Sequence, residues 1–478
     1  MYHPSQRPSA RLRMLPSPFA RFFAMSIAPF FGSHNTYHTL RRKATDSSKE
    51  IDFFENAFID SSSAKCTRVL NCLLRFLGQR SAIVNHSKMC YLLRRSVHTE
   101  FYTFHAKGLF MSKIKSWCHA NAMLVISLLA AIVTAFFVPP DRDYLGYYDL
   151  KTLACLFCVL AVVGALRDLH IFSALSQRMV HTFSTVRGVC TALVVITMFG
   201  SMLLTNDTAL LTFLPLGWFV LSSTGQERHT ALLFILQNCA ANLCGMITPF
   251  GNPQNLYLFS YYDLSAKIFF SAMLPPFILS TVLILLCCLV FPKEQLSVPE
   301  AQVTVDSRRA VIYGGLFCLA VAMVLRLVPY ILGLAVIVLA LWLLDRHALK
   351  TVDWGLLATF AAFFTFSGNL ARMEAVRVLF ARLLSHGTIL ISALTCQIIS
   401  NVPAAILLSR FTQDARGLLV GVNVGGAGTL VASLASLITF REYTRHVPNG
   451  GKQFLFLFSG ISFTFLTILL MAMSFLNG

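Results

Sequence analysis

Two short polar sequences interrupt apolar runs of membrane length: Thr205, Asn206, Asp207, Thr208, and Ser400, Asn401, Val402, Pro403. Each opens with a hydroxyl residue followed by Asn, and hydroxyl and amide oxygens suit a hard cation. Two further breaks follow at Thr248 to Asn255 (TPFGNPQN) and Asn423 to Thr429 (NVGGAGT). In the first, Pro249 and Pro253 remove backbone donors and Gly251 lets the chain turn toward a ligand, while Thr248, Asn252, Gln254 and Asn255 supply polar atoms. Gly425, Gly426, Gly428 and Thr429 mirror this in the second, with close helix packing through glycine as the competing explanation. Exposed carbonyls at such breaks can hold a cation, and helix N-termini can face an anion.

Asp207 is the acid that falls deepest in an apolar region, and a carboxylate at membrane depth is costly enough to point to function. As a sodium ligand it stays ionised beside Asn206 and backbone carbonyls; as a proton site it carries the coupling proton. A third reading makes it a helix cap, since Asp and Asn are favoured there. Val402 and Pro403 stand where the first tip has Asp207 and Thr208, so the two tips differ chemically.

The elements that must position these residues are membrane helices. The 478 residues are 56% hydrophobic and only 13% charged, where soluble domains are about a quarter charged. Apolar segments run 121 to 138, 150 to 166, 188 to 222, 229 to 258, 266 to 291, 310 to 326, 328 to 344, 354 to 370, 388 to 412, 416 to 440 and 453 to 475. The tips in 188 to 222 and 388 to 412 predict re-entrant hairpins, and the breaks in 229 to 258 and 416 to 440 predict spanning helices unwound at mid-depth. Backbone groups left unpaired in hydrocarbon cost several kcal/mol each, so such segments must share a polar centre.

The net charge of +18 is concentrated before residue 120, and cationic ends beside membrane helices orient a chain in the bilayer, which argues against nucleic acid as partner. Residues 1 to 110 carry basic stretches and no membrane-length run; they read as an extension, with Met111 as a natural start. Repeat one is 111 to 300 and repeat two 301 to 478: in both, an amphipathic basic stretch (Arg167 to Arg187, Arg372 to Arg382) precedes hairpin, broken helix and final apolar helix. An odd number of crossings separates equivalent helices, so the second copy is inverted. Placing Lys113 inside satisfies the positive-inside rule. The fold class is thus all-α integral membrane, with two inverted repeats, about nine spanning helices, two re-entrant hairpins and two broken helices. The scattered cysteines, Cys155 and Cys158 included, complete no metal site, and no cofactor is expected beyond sodium or a proton.

Taken together, TNDTALLTFLPL, ANLCGMITPFGNPQNL, VDWGLLATFAAFFTFSGNLAR, IISNVPAAILLSRF and VGGAGTLVASLASL resemble the citrate-transporter-like branch of the ion transporter superfamily, which includes divalent anion/sodium symporters and arsenite permeases. The resemblance covers about residues 111 to 478. It implies a scaffold and a transport domain, a homodimer, and an elevator motion carrying a small anionic substrate across a cytoplasmic membrane. By that resemblance Thr205, Asn206, Asp207 and the 248 to 255 loop form one cation site, and Ser400, Asn401 and 425 to 429 the other. The dicarboxylate symporters usually carry a Ser-Asn-Thr tip in both hairpins; Thr-Asn-Asp and GNPQN stand closer to arsenite permeases and sodium/proton antiporters, so arsenite or antimonite efflux and cation exchange form the second reading. An intramembrane hydrolase would need a nucleophile and base at depth, and neither HExxH nor GxSxG occurs; a channel would need a continuous pore.

If the two tips hold ligands, Asn206→Ala and Asn401→Ala each abolish transport while membrane insertion stays intact. Normal transport by both variants, at matched abundance in the membrane, would remove the assignment.

Overall fold

The computed structural model describes residues 121–169, 182–296 and 306–477. Residues 1 to 110, Met111 and the middle of the Arg167 to Arg187 stretch therefore lie outside the described residues. Helix α1 (Ala122–Phe137) leads through a 3-10 turn (Arg142–Tyr147) to α2 (Leu150–Asp168). A helix pair follows, α3 (Val186–Leu203) and α4 (Asn206–Ser223), then an interrupted helix, α5 (Thr230–Cys244) and α6 (Pro253–Tyr261), and α7 (Ala266–Cys288). Next come α8 (Ser307–Val324), α9 (Tyr330–Leu344), the single turn α10 (Arg346–Lys350), α11 (Trp354–Arg372) and α12 (Glu374–Leu384). A second pair, α13 (Thr388–Ile399) and α14 (Asn401–Leu408), precedes a second interrupted helix, α15 (Ala415–Val424) and α16 (Leu434–His446), and the chain closes with α17 (Gly451–Asn477).

These boundaries follow local chemistry. Asp149, Thr185, Thr205, Ser265, Asp306, Asp353 and Asp414 precede helices, and each side chain accepts a first-turn backbone N–H, satisfying donors that hydrocarbon would leave unpaired. Among the described residues, seven helices are long and apolar enough to cross a bilayer, or eight if α12 and α13, bent by 119°, count as one span. The expectation of about nine includes α1, α9 and the interrupted 416 to 440 run, and leaves α3, one of the seven, in a hairpin. Helices α1 and α9 hold 16 and 15 residues, about 24 and 22 Å of helix against a hydrocarbon core of about 30 Å.

Packing divides the helices into two groups. Helix α1 lies along α11, and α2 against α8 and α9; the α3/α4 pair, α5, α7, α13, α15, α16 and α17 pack among themselves. The groups meet where α11 touches α14 and α2 touches α6. The apolar stretch of α5 is 83% buried, against 33% for α7 and α17, so α5 is central and the latter two offer most of their surface to lipid.

Arginines cross between the groups. Arg410, just beyond α14, donates to the Tyr147 carbonyl at 2.8 Å, and Arg326 pairs with Asp263 at 2.7 Å while donating to the Phe259 carbonyl. Arg326 and Asp263 both have positive φ, 64° and 53°, a conformation rare outside glycine. Within the first group, Arg372 holds Asp141 at 2.7 Å and donates to the Tyr147 hydroxyl. The Tyr147 ring lies where a Cβ on Gly368 would come within 2.4 Å of it, so glycine at 368 is what lets the turn seat on α11.

The Arg372 hydrogen bond holds the Asp141 carboxyl below its ordinary value. A lowered folded value means the pair stabilises fully above the ordinary aspartate range, and that contribution is lost as pH falls through the lowered value. In thermal unfolding of the purified protein, wild type therefore exceeds Asp141→Asn most at neutral pH, and the gap narrows on acidification. A gap independent of pH would contradict the pairing.

Candidate functional site

The tips are tighter than their sequences suggest. Only Leu204 and Thr205 separate α3 from α4, so Asn206, Asp207 and Thr208 form the first turn of α4 instead of an unwound tip. Ser400 alone separates α13 from α14, with φ 75°, and Asn401, Val402 and Pro403 are helical. A helix start satisfies the local backbone better than an open loop in hydrocarbon, which is why the polar residues enter the helix. Both Asn side chains do the same thing there. The Asn206 amide oxygen accepts the Asp207 N–H at 3.0 Å, and the Asn401 amide oxygen accepts the Val402 N–H at 2.9 Å.

Thr205, not Asp207, caps α4: its hydroxyl accepts the Thr208 N–H and bonds the Thr208 hydroxyl at 2.8 Å. That leaves the Asp207 carboxylate free of capping, in the first turn where the helix dipole favours an anion. Its Oδ1 is buried and meets no donor among the described residues.

The breaks are likewise shorter than expected. In the first, a 3-10 turn (Gly245–Ile247) ends α5, Thr248 to Asn252 are non-helical, and Pro253 opens α6. Pro at the first helical position costs no hydrogen bond, so Pro253, Gln254 and Asn255 belong to a helix. Pro249 is buried in the turn. A Cβ on Gly251 would lie 2.3 Å from the Gly245 carbonyl, 2.5 Å from the Thr248 hydroxyl and 2.9 Å from the Ser201 carbonyl. In the second break, Asn423 lies in the last turn of α15, Gly425 to Thr429 are non-helical as expected, and a 3-10 turn (Leu430–Ala432) leads to α16.

Side-chain amides tie these pieces together. Asn206 donates to the Asn242 amide oxygen at 3.1 Å, and that oxygen also accepts from Ser433 at 2.8 Å. Asn242 donates to Asn238, whose amide donates to Ser436 and whose oxygen accepts from Thr439. The two breaks are bridged through Asn423: it donates to Asn255 at 2.6 Å and accepts from Asn252 at 3.3 Å and Gln254 at 3.2 Å. Asn255 also donates to the Met246 and Thr248 carbonyls, and the Asn206 N–H donates to the Gly251 carbonyl at 3.2 Å. At the second tip Ser400 donates to the Ala432 carbonyl, and a Cβ on Gly426 would lie 3.2 Å from the Asn401 amide nitrogen.

The first tip and both breaks thus share one polar network, while Ser400 and Asn401 border it through Ala432 and the glycine segment. The buried Asn252 and Gln254 amide oxygens accept from no described residue. Sequence reasoning missed Gln397, Ser433, Ser436 and Thr439. For Gln397 a signal exists: it is the polar residue one helical turn before the Ser400 tip. Asn238 and Asn242 stand four apart in the apolar run of α5, a spacing that places both on one helix face.

Residues 109–416 match the family described as citrate transporter. The chain is 31% identical over 328 residues to an uncharacterized transporter of Methanocaldococcus jannaschii, which covers 68% of this chain and 89% of that protein. It is 29% identical over 323 residues to the inner membrane protein YbiR of Escherichia coli, covering 66% and 86%. Over 162 residues, 33% of each chain, it is 30% identical to the silicon efflux transporter LSI3 of Oryza sativa subsp. japonica.

Because the atoms crowding Gly251 are largely backbone, Gly251→Ala must displace the break. It is expected to lower stability by about 1–3 kcal/mol, the usual cost of overpacking. Gly314→Ala in α8, where an added Cβ meets nothing within 4 Å, is the control and leaves Tm unchanged or slightly raised. Equal Tm for the two variants in detergent would show that the crowding is not real.

Proposed function

Because the chain belongs to the citrate transporter family, and is thus a multi-pass membrane transporter, we propose that it is a secondary carrier of small organic anions of the citrate or dicarboxylate class, driven by a sodium or proton gradient. The observation that carries this reading is the amide network at the meeting of a helix-pair tip and two interrupted helices. Buried amides at membrane depth are retained only where they do something, since each costs free energy unless fully bonded. Here the Asp207, Asn252 and Gln254 oxygens are buried acceptors without a donor among the described residues, the donor set of a hard cation. The N-termini of α4 and α14 supply positive dipole ends for an anion, while their Asp207, Thr208 and Val402 N–H groups are bonded by side chains.

In this reading Asp207 couples the ion: ionised with sodium bound, or taking up the proton. Asn206 orients the start of α4 through its bonds to the Asp207 N–H and Asn242. The group built on α3 to α7 and α13 to α17 moves against the group built on α1, α2, α8, α9 and α11, and the Arg410 and Arg326 contacts break and reform during the cycle. Residence in a cytoplasmic membrane and assembly as a homodimer belong to the same reading, on the family likeness alone. Efflux of a metalloid species such as arsenite or antimonite, or sodium/proton exchange, is the second reading. It is favoured by Asp207 at the first tip and by the likeness to a silicon efflux transporter over 162 residues.

The test is uptake of radiolabelled citrate, succinate and malate into proteoliposomes under sodium and proton gradients imposed separately. The expected result is uptake driven by one gradient and reduced at least about tenfold in Asp207→Asn, the loss of about 1.4 kcal/mol or more of coupling. No uptake under either gradient, with arsenite or antimonite accumulating in inverted vesicles, would replace the first reading by the second.

A further inference from the structure

The second half of the site fills its break with the Gln397 side chain, which comes from the helix before the tip. Its amide nitrogen lies among three backbone carbonyls, of Ala393 at 3.0 Å, Gly425 at 2.8 Å and Ala427 at 3.0 Å. Its amide oxygen accepts the Thr429 N–H at 2.8 Å. Two of these, Gly425 and Ala427, belong to the interrupted helix and one, Ala393, to α13; carbonyls converging on one point are how backbone holds a dehydrated cation at membrane depth. Here the point is taken by a side-chain N–H donor, which carries partial positive charge and has two hydrogens to share. Gly428, at φ 119°, makes room: a Cβ there would lie 2.2 Å from the Gln397 amide oxygen.

The counterpart in the first half is Met202. Its carbonyl accepts from the Thr248 hydroxyl at 2.8 Å, as the Gln397 carbonyl accepts from the Thr429 hydroxyl at 3.0 Å. A thioether donates nothing. At this break lie the amide oxygens of Asn252 and Gln254, which meet no donor among the described residues, both side chains at most 1% exposed. Both breaks thus have an amide donor of their own, Asn255 in the first and Gln397 in the second, but the first also keeps side-chain acceptors in reserve.

We propose that the Gln397 amide stands in for a cation in the second half, so that the coupling ion binds in the first half alone. This rests on the carrier reading for its meaning, but it concerns ion number and can be measured without any substrate. Gln397→Glu turns the donor into a carboxylate facing the Gly425 and Ala427 carbonyls and creates a cation site. Gln397→Met, matching Met202, simply frees those carbonyls.

The experiment is equilibrium binding of radiolabelled sodium to the purified full-length chain in detergent, with no organic anion present. Wild type binds one sodium per chain, lost in Asn252→Ala, or none if the coupling ion is the proton. Gln397→Glu binds one more than wild type in either case; should that variant fail to elute as a monodisperse species, Gln397→Met carries the comparison. Two sodium ions per wild-type chain, or an unchanged count in a well-folded Gln397 variant, would overturn the proposal. Failure of the carrier reading appears instead in the uptake assay and leaves these counts as they are.

Discussion

A backbone N–H or carbonyl in hydrocarbon must find a partner inside the protein, and this structure is organised around meeting that demand where its helices stop. Four chain breaks lie within the apolar body, two at helix-pair tips and two in interrupted helices. Water is not at hand to solvate them, so side chains do so. Thr205 caps α4, Asn206 and Asn401 each bond the N–H that follows them, and Asn255 takes up two carbonyls of the first break.

Carboxamides suit this task because each offers donors and acceptors together. Asn423 shows the consequence: a single side chain at the end of α15 bonds Asn252, Gln254 and Asn255 across the sequence gap between the two interrupted helices. The network that rescues the backbone is therefore also the one that joins the two halves. Its leftover acceptors, on Asp207, Asn252 and Gln254, are concentrated on the first half, which is why a cation is sought there.

Around this centre the packing is arranged in two groups that meet along limited seams, α11 with α14 and α2 with α6. Arg410 and Arg326 reach across them to backbone carbonyls. Contacts of this kind are specific in direction yet modest in strength near a surface, so they can register two bodies without fusing them. The broad apolar faces of α7 and α17, whose apolar stretches are only 33% buried, are matched to lipid.

Much of this was legible in the primary structure. Apolar run length alone determines that the chain lies in a membrane, because about 20 residues of helix are needed to cross it and little else tolerates that composition. Clusters of Pro, Gly, Asn and hydroxyl residues in those runs located the four breaks, since such clusters free backbone groups that lipid cannot bond, although single residues such as Pro275 and Pro276 stay inside a helix. What the sequence could not decide was who those partners are. Asn206 meeting Asn242 and Ser433, Asn423 bridging to Asn252, and Gln397 filling the second break are contacts between residues dozens to nearly two hundred positions apart. Local pattern reports where backbone groups are freed. Only the tertiary structure decides which side chain reaches them, because hydrogen bonds form at about 3 Å and depend on how the helices pack.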